Sequence, residues 1–183
     1  MIRTPKIALA VLLVQIATAA SGYASGADSA SGSGYGASGA AAAMGGGLAF
    51  TIVDMLRWAV EDEYLARGEY VAIMEKFGVT RPYDNIKASE DLHLAWLEDE
   101  YAARGLAFPA DGSATSVVAP ADLKSAAQAG VDAELSNIGM YKAFLARPEL
   151  SRPENASVKD LFERLMRASE NHLRAFNTQL SKD

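Results

Sequence analysis

Residues 52–77 read IVDMLRWAVEDEYLARGEYVAIMEKF, and their pattern is the strongest indication of the fold in the sequence. Within it, one set of residues recurs in alternating steps of four and three. The set consists of Ile52, Leu56, Ala59, Glu63, Ala66, Tyr70, Ile73 and Phe77. This period places all of these side chains on one face of an α-helix, as in helical bundles. Gly78 then suits the end of a helix, and Arg81-Pro82 breaks the chain.

Three later stretches carry the same pattern. The second helix is predicted to begin with Asp84 as its N-cap and to end at Gly105, and the third to begin around Pro120. The fourth is predicted to begin at a capping-box-like pair, Ser157 and Asp160. Their core-facing stripes are Ile86, Glu90, His93, Leu97 and Tyr101; Leu123, Ala127, Gly130, Glu134, Asn137, Tyr141 and Phe144; and Val158, Leu161, Leu165, Ser169, His172, Phe176 and Leu180.

The connections between these helices predict their topology. Short loops join the first helix to the second and the third to the fourth, so each pair should be antiparallel. Residues 106–119 form a 14-residue connection without clear periodicity. Extended, such a segment reaches ~45 Å, which is enough to run the length of the bundle. We therefore expect an all-α, four-helix bundle with one long crossover over residues 50–183.

The N-terminal region has a different composition. Residues 1–20 have the order of a signal peptide: Arg3 and Lys6, an apolar run, and small residues suited to cleavage. The apolar run is shorter than the ~20 residues of a membrane-spanning helix, so we expect cleavage rather than stable membrane insertion. The protein is thus predicted to be exported, either to the periplasm or as a secreted protein.

Residues 21–49 consist almost entirely of Gly, Ala and Ser. Such a segment has too little apolar side chain to offset the entropy lost on ordering. It is predicted to be a disordered linker without chemistry of its own.

The overall composition excludes several classes of function. The chain has no cysteine, which excludes disulfides, thiolate zinc sites, iron–sulfur clusters and a Cys nucleophile. With 17 Lys and Arg against 23 Asp and Glu, the net charge is -6. An acidic chain repels phosphates, so nucleic acid is not an expected partner.

Five polar residues interrupt the apolar stripes near the middle of the helices. They are Glu63, Glu90, His93, Glu134 and His172. Glu90 and His93 form an E-x-x-H pair, and residues three apart on a helix point the same way. Three buried carboxylates repel one another unless cations or protons neutralise them. Carboxylate and imidazole groups suit iron, manganese and zinc, so the pattern predicts a metal site. The alternative is a bundle whose buried acids are protonated or paired with the two histidines.

The remaining polar residues are predicted either to support the metal ligands or to face solvent. Tyr70 and Tyr141 each lie two turns after a carboxylate, and Ser169 lies one turn before His172. These three are predicted hydrogen-bond partners of the metal ligands, although the tyrosines would serve equally as core aromatics. Acids off the stripes are interpreted as solvated faces: Glu61, Asp62, Asp91, Glu98, Asp99, Glu100 and Glu170.

Three pieces of the sequence form a recognisable set: EDEYLAR at 61–67 followed by Tyr70; Asn85-Ile86 with Ser89, Glu90 and His93; and ASENHLRAF at 168–176. In these pieces, residues 58–180 resemble DUF2202, a family of uncharacterised domains, within the ferritin-like superfamily of rubrerythrin-type bundles. The resemblance implies a ferritin-like fold and metal binding, with iron as the expected metal, but no established reaction. Ferritin-like di-iron sites commonly take a second E-x-x-H from the last helix, and here Ser169 stands where that Glu would be.

The ligand set leaves the metal number and the function open. Two divalent ions against three carboxylates leave +1, which a bridging hydroxide would neutralise, and one ion leaves -1. A dinuclear site open to solvent beside Ser169 and a mononuclear site both fit. Three hypotheses follow: a metal-dependent, ferroxidase-like oxidoreductase; a non-catalytic metal-sequestering or stress protein; and a metal-free helical scaffold that forms a homodimer or binds a partner.

Overall fold

The computed structural model describes residues 34–182, and within that range the chain is helical and contains no strand. The α-helices are α1, Gly36–Gly45; α2, Ile52–Phe77; α3, Tyr83–Ala103; α4, Leu123–Leu145; and α5, Ala156–Leu180. The all-α prediction is confirmed for the described part of the chain. The predicted signal peptide and the first part of the predicted linker lie outside it.

The first long helix has the predicted bounds. Thr51 caps α2 in a reciprocal pair with Asp54, which accepts hydrogen bonds from the Thr51 backbone N–H and hydroxyl at 2.8 Å. At the other end, Gly78 has φ 64°, a left-handed conformation that glycine adopts without steric cost.

Three other predicted helix starts differ from the observed starts by one to three residues. Tyr83 begins α3, and Asp84 lies inside its first turn rather than capping it. Asp122, not Pro120, precedes α4, and its carboxylate accepts from the Ser125 N–H at 2.7 Å. Ser157 lies inside α5, where its hydroxyl donates to Glu100 of α3 instead of capping its own helix. Of these three starts, only that of α4 is capped by a side-chain hydrogen bond.

The α3–α4 connection lies along α2, as expected for a long crossover. Tyr64 donates to the Pro109 carbonyl at 3.3 Å, Arg67 pairs with Asp111 at 2.8 Å, and Lys76 reaches the Ala119 carbonyl at 3.4 Å. The connection therefore runs toward the C-terminal end of α2, beside which α3 begins. Helix α2 packs mainly on α3 and α4 mainly on α5, and contacts between α2 and α4 and between α3 and α5 close the bundle.

The prediction of a disordered linker is wrong for its described part, 34–49. Helix α1 packs on α2 and α4, and Ala40 and Ala43 are 0 % exposed. Its first turn is held by two acids of α2: Glu61 accepts from the Gly36 N–H and Asp62 from the Ala37 N–H, both at 3.0 Å. The packed helical unit thus begins before residue 50.

Small side chains allow this close packing of α1. A Cβ atom on Gly39 would lie 2.9 Å from the indole nitrogen of Trp58, so a larger residue would separate the two helices.

Asp62, predicted to lie on a solvated face, is buried here. None of the described helices is both long enough and apolar enough to span a bilayer.

The core is divided into two apolar clusters by a polar layer. One cluster includes Trp58, Leu97 and Phe162, and the other includes Tyr83 and Phe176. In each of α2 to α5, the polar stripe residues lie between the segments that supply the two clusters.

Candidate metal centre

The structure brings all five predicted site residues into this polar layer. Helix α2 supplies Glu63, α3 supplies Glu90 and His93, α4 supplies Glu134, and α5 supplies His172. Each residue is between 1 and 8 % exposed. Their convergence follows from the stripes, because each stripe places its polar member near the middle of its helix.

The first group of ligand atoms comes from Glu63, Glu90 and His93. The Nδ1 atom of His93 lies 2.7 Å from Glu90 Oε2 and 3.0 Å from Glu63 Oε2. One potential ligand atom from each residue lies within 4.8 Å of the others, a spacing that a single metal ion can bridge.

The second group comes from Glu90, Glu134 and His172. The Nδ1 atom of His172 lies 3.3 Å from Glu90 Oε1 and 3.2 Å from Glu134 Oε1. These three residues meet the same 4.8 Å spacing. The other oxygen of Glu134, Oε2, is buried and has no hydrogen-bond partner among the described residues.

Glu90 belongs to both groups. Its Oε2 faces His93 and its Oε1 faces His172, so the two carboxylate oxygens point to different imidazoles. The imidazole rings lie 5.8 Å apart between centroids, with planes 27° apart. The site is therefore a pair of adjoining positions with one shared carboxylate.

The two tyrosines cross-link the groups in a way that the sequence did not indicate. Tyr141 of α4 donates to Glu63 Oε1 at 3.1 Å, and Tyr70 of α2 donates to Glu134 Oε1 at 3.2 Å. Each tyrosine thus pairs with the carboxylate of the opposite helix rather than with the one two turns before it. These bonds hold the outer carboxylates in place.

Ser169 does not play its predicted part. It is buried, so it does not open the cluster to solvent, and no hydrogen bond joins it to the five residues within the described chain. The serine that does contact the site is Ser89, whose hydroxyl lies 3.0 Å from His93 Nε2. Its spacing four residues before His93 was a usable signal, because residues at i and i+4 share a helix face.

The pKa values of the two carboxylates in the first group are shifted in opposite directions. Burial raises the pKa of Glu63 to about 8 although His93 opposes that effect. Burial also disfavours the ionised form of Glu90, but hydrogen bonds from His172 and His93 outweigh it and lower the pKa of Glu90 to about 2. Glu90 is therefore the carboxylate that stays ionised between the two imidazoles.

Both histidines favour the protonated form when no metal is bound. Burial alone would lower their pKa values, but the facing carboxylates raise the pKa of His93 to about 10 and that of His172 to about 9. The buried acids are thus paired with the histidines, which was the metal-free alternative drawn from the sequence. A metal ion would have to displace protons from these groups.

The residues present fit a divalent metal. The donor set of carboxylate oxygens and imidazole nitrogens suits iron, manganese and zinc, and the buried groups could hold an ion in either position. The unpartnered Glu134 Oε2 is the clearest sign, since a buried carboxylate oxygen without a partner costs free energy that a cation would recover.

Of the acids predicted to be solvated, Asp91, Glu98 and Asp99 are exposed. Glu100 is buried, so that prediction is wrong for it. It accepts from Arg104 at 2.6 Å and from Ser157 at 3.0 Å, which ties α3 to α5 away from the cluster.

Comparison of the chain with protein-family models, with curated proteins and with solved structures finds no match.

Proposed function

We propose that the chain is an exported, ferritin-like metal-binding protein whose five-residue cluster binds divalent metal, with iron as the expected ion and manganese or zinc as alternatives. The observation that carries this proposal is the pair of adjoining Glu/His groups that share Glu90 inside a closed helical core. The crossover along α2 and the DUF2202-like pieces of sequence support the ferritin-like assignment. Export rests on the signal-like order of residues 1–20.

The geometry favours two metal positions over one. Each group supplies a histidine, an outer carboxylate and one oxygen of Glu90, and the two Nδ1 atoms face different oxygens of that carboxylate. A mononuclear site would leave one histidine and one outer carboxylate without a metal ion to bind.

Iron held there would supply one-electron redox chemistry toward dioxygen or peroxide, which is the ferroxidase-like version of the proposal. The protein's own contribution is to hold the ligands in position and to exclude bulk water. Tyr70 and Tyr141 would keep the outer carboxylates oriented through their hydroxyl groups. Because all five residues are nearly inaccessible, only ions and small molecules fit as reactants in this conformation.

A metal-free core is the second candidate, and the ion pairs favour it. Glu90 and both histidines already have partners, so the bundle does not require a cation to satisfy them. On this account the layer would be structural, and the domain would act as a scaffold.

Melting curves of the purified protein with and without metal separate the two candidates. Binding only to the folded state adds about 2.7 kcal/mol at a hundredfold excess over Kd. For a domain of this size that is a rise of about 5–10 °C in melting temperature. A chelator should reverse the rise, and Glu90→Gln should abolish it because it removes the carboxylate that both positions share.

Glu170→Gln is the matched control on the same chain, since Glu170 is only partly buried and belongs to neither Glu/His group. It should keep the full metal response. If iron, manganese and zinc all leave the wild-type melting temperature unchanged, metal binding is refuted and the scaffold interpretation stands.

A further inference from the structure

We infer that Ser89 positions His93 for metal binding and thereby makes the two metal positions unequal, so that the position formed by Glu63, Glu90 and His93 fills first. This inference rests on the proposed metal-binding function. It concerns the order of loading and the residue that sets it.

Both ring nitrogens of His93 are engaged. Nδ1 faces the two carboxylates at 2.7 and 3.0 Å, and Nε2 lies 3.0 Å from the Ser89 hydroxyl. The ring also packs against Trp96, with centroids 5.4 Å apart. His93 is 3 % exposed, so water has little access to compete for either nitrogen.

His172 lacks a corresponding support. Its Nδ1 atom faces Glu134 and Glu90 at 3.2 and 3.3 Å, and no described residue forms a hydrogen bond with its Nε2. It is also the most exposed of the five, at 8 %. The tyrosine bonds do not create this difference, since they measure 3.1 Å on one side and 3.2 Å on the other.

The contact with Ser89 matters because a metal and a proton occupy opposite nitrogens of a ligating imidazole. When Nδ1 binds the ion, Nε2 carries the hydrogen, and the Ser89 oxygen can accept it. Ser89 therefore holds His93 in the tautomer and ring orientation that point Nδ1 at the carboxylates. Such outer partners typically change metal affinity 10–100-fold, so the His93 position should bind at least about tenfold more tightly than the His172 position.

Titration of metal-free protein with Mn²⁺ tests this inference, with free Mn²⁺ followed by electron paramagnetic resonance. Wild type should bind in two steps. Ser89→Ala should weaken the first step about tenfold and leave the second within about twofold, so that the steps merge. Ser89→Thr keeps a hydroxyl and should restore most of the lost affinity.

Ser136→Ala is the matched control. Ser136 is an exposed helical serine on α4 whose hydroxyl donates to the Asp132 carbonyl, so its loss removes a similar hydrogen bond away from the cluster. It should bind Mn²⁺ as wild type does.

A second readout separates positioning from a general effect on folding. In the Zn²⁺-loaded protein, long-range ¹H–¹⁵N spectra should show a protonated Nε2 for His93 in wild type and loss of its slowly exchanging proton in Ser89→Ala. The metal-free melting temperature of Ser89→Ala should fall by about 2–8 °C, because Nε2 of the buried His93 loses its partner, so the affinities and the spectrum carry the distinction. A merely structural serine would shift the melting temperature and leave the two affinities and the spectrum alone.

The outcomes are distinguishable. If wild type binds no metal, the proposed function and this inference both fail. If wild type binds in two steps and Ser89→Ala binds identically, the inference alone is overturned.

Discussion

Replacing Glu90 by glutamine removes the one charge that both halves of the cluster share, with almost no change in side-chain shape. In the metal-free protein Glu90 faces the Nδ1 atoms of His93 at 2.7 Å and of His172 at 3.3 Å. Glu90→Gln leaves two buried imidazoles with one ionised neighbour fewer. We expect both the metal-free fold and metal binding to suffer.

The size of the loss follows from the pKa of Glu90: burial would raise it, but hydrogen bonds with His172, His93 and Glu63 outweigh burial and lower it from 4.5 to about 2. That difference corresponds to on the order of 3 kcal/mol in favour of the ionised carboxylate. Because the folded-state pKa lies below the unfolded one, this stability is present above about pH 4.5 and is lost as the pH falls through 2. At pH 7 a glutamine, which cannot ionise, should therefore cost about 2–4 kcal/mol.

Urea unfolding of chelator-treated protein at pH 7 measures this cost. Glu98→Gln, on the exposed face of the same helix, is the control and should change the unfolding free energy by less than about 0.5 kcal/mol. If Glu90→Gln unfolds at the wild-type urea midpoint, the ion pairs contribute nothing and the reasoning fails. Added Mn²⁺ should then stabilise wild type and Glu98→Gln but not Glu90→Gln.

Three further predictions concern packing, docking and pH. In Gly130→Ala, the new Cβ would lie 2.7–2.8 Å from ring atoms of the fully buried Phe176, so urea unfolding should show a loss of about 1–2 kcal/mol. Gly139→Ala, where nothing lies within 4 Å, should gain about 0.5–1 kcal/mol. Ala40→Asp should undock α1 and speed its amide exchange while α2–α5 stay protected, whereas Ala42→Asp, at an exposed site, should not. Because the pKa of each cluster histidine is raised from 6.5, to about 10 and about 9, the melting temperature of metal-free protein should fall as pH rises above 6.5. The rise produced by metal should grow over the same range, since the ligands must lose protons, and a flat profile for both would contradict the pairing.

The bundle and its polar layer were predictable because they depend on periodicity. The 52–77 stripe matches α2, and the same reasoning placed the five polar residues on the helices that bring them together. Helix starts were less predictable, because whether a polar residue caps its helix depends on the groups that lie near it in the fold. Asp122 accepts from the Ser125 N–H, whereas the Ser157 hydroxyl donates to Glu100 of another helix.

Helix α1 was not predictable from its own composition. A Gly, Ala and Ser segment has no large apolar stripe, and its order depends on acids of α2 that meet its first turn. Those acids, Glu61 and Asp62, lie off the stripe of α2, which is why the sequence suggested that they face solvent.

The partners within the site were only partly predictable. Sequence spacing relates residues on one helix, so it paired Glu90 with His93, but it assigned no role in the site to Ser89, which lies four residues before His93. It could not predict that Tyr70 and Tyr141 each donate to the carboxylate on the other's helix, because that pairing depends on how α2 and α4 face each other.

Anomalous X-ray diffraction from crystals soaked in Mn²⁺ would locate the bound ions themselves. We expect two anomalous peaks in the polar layer, one beside His93 and one beside His172, with Glu90 between them. At limiting Mn²⁺ the peak beside His93 should be the stronger. A saturated crystal with no peak in the layer, and with Glu90 still paired to both histidines, would contradict the claim that this cluster is a metal centre.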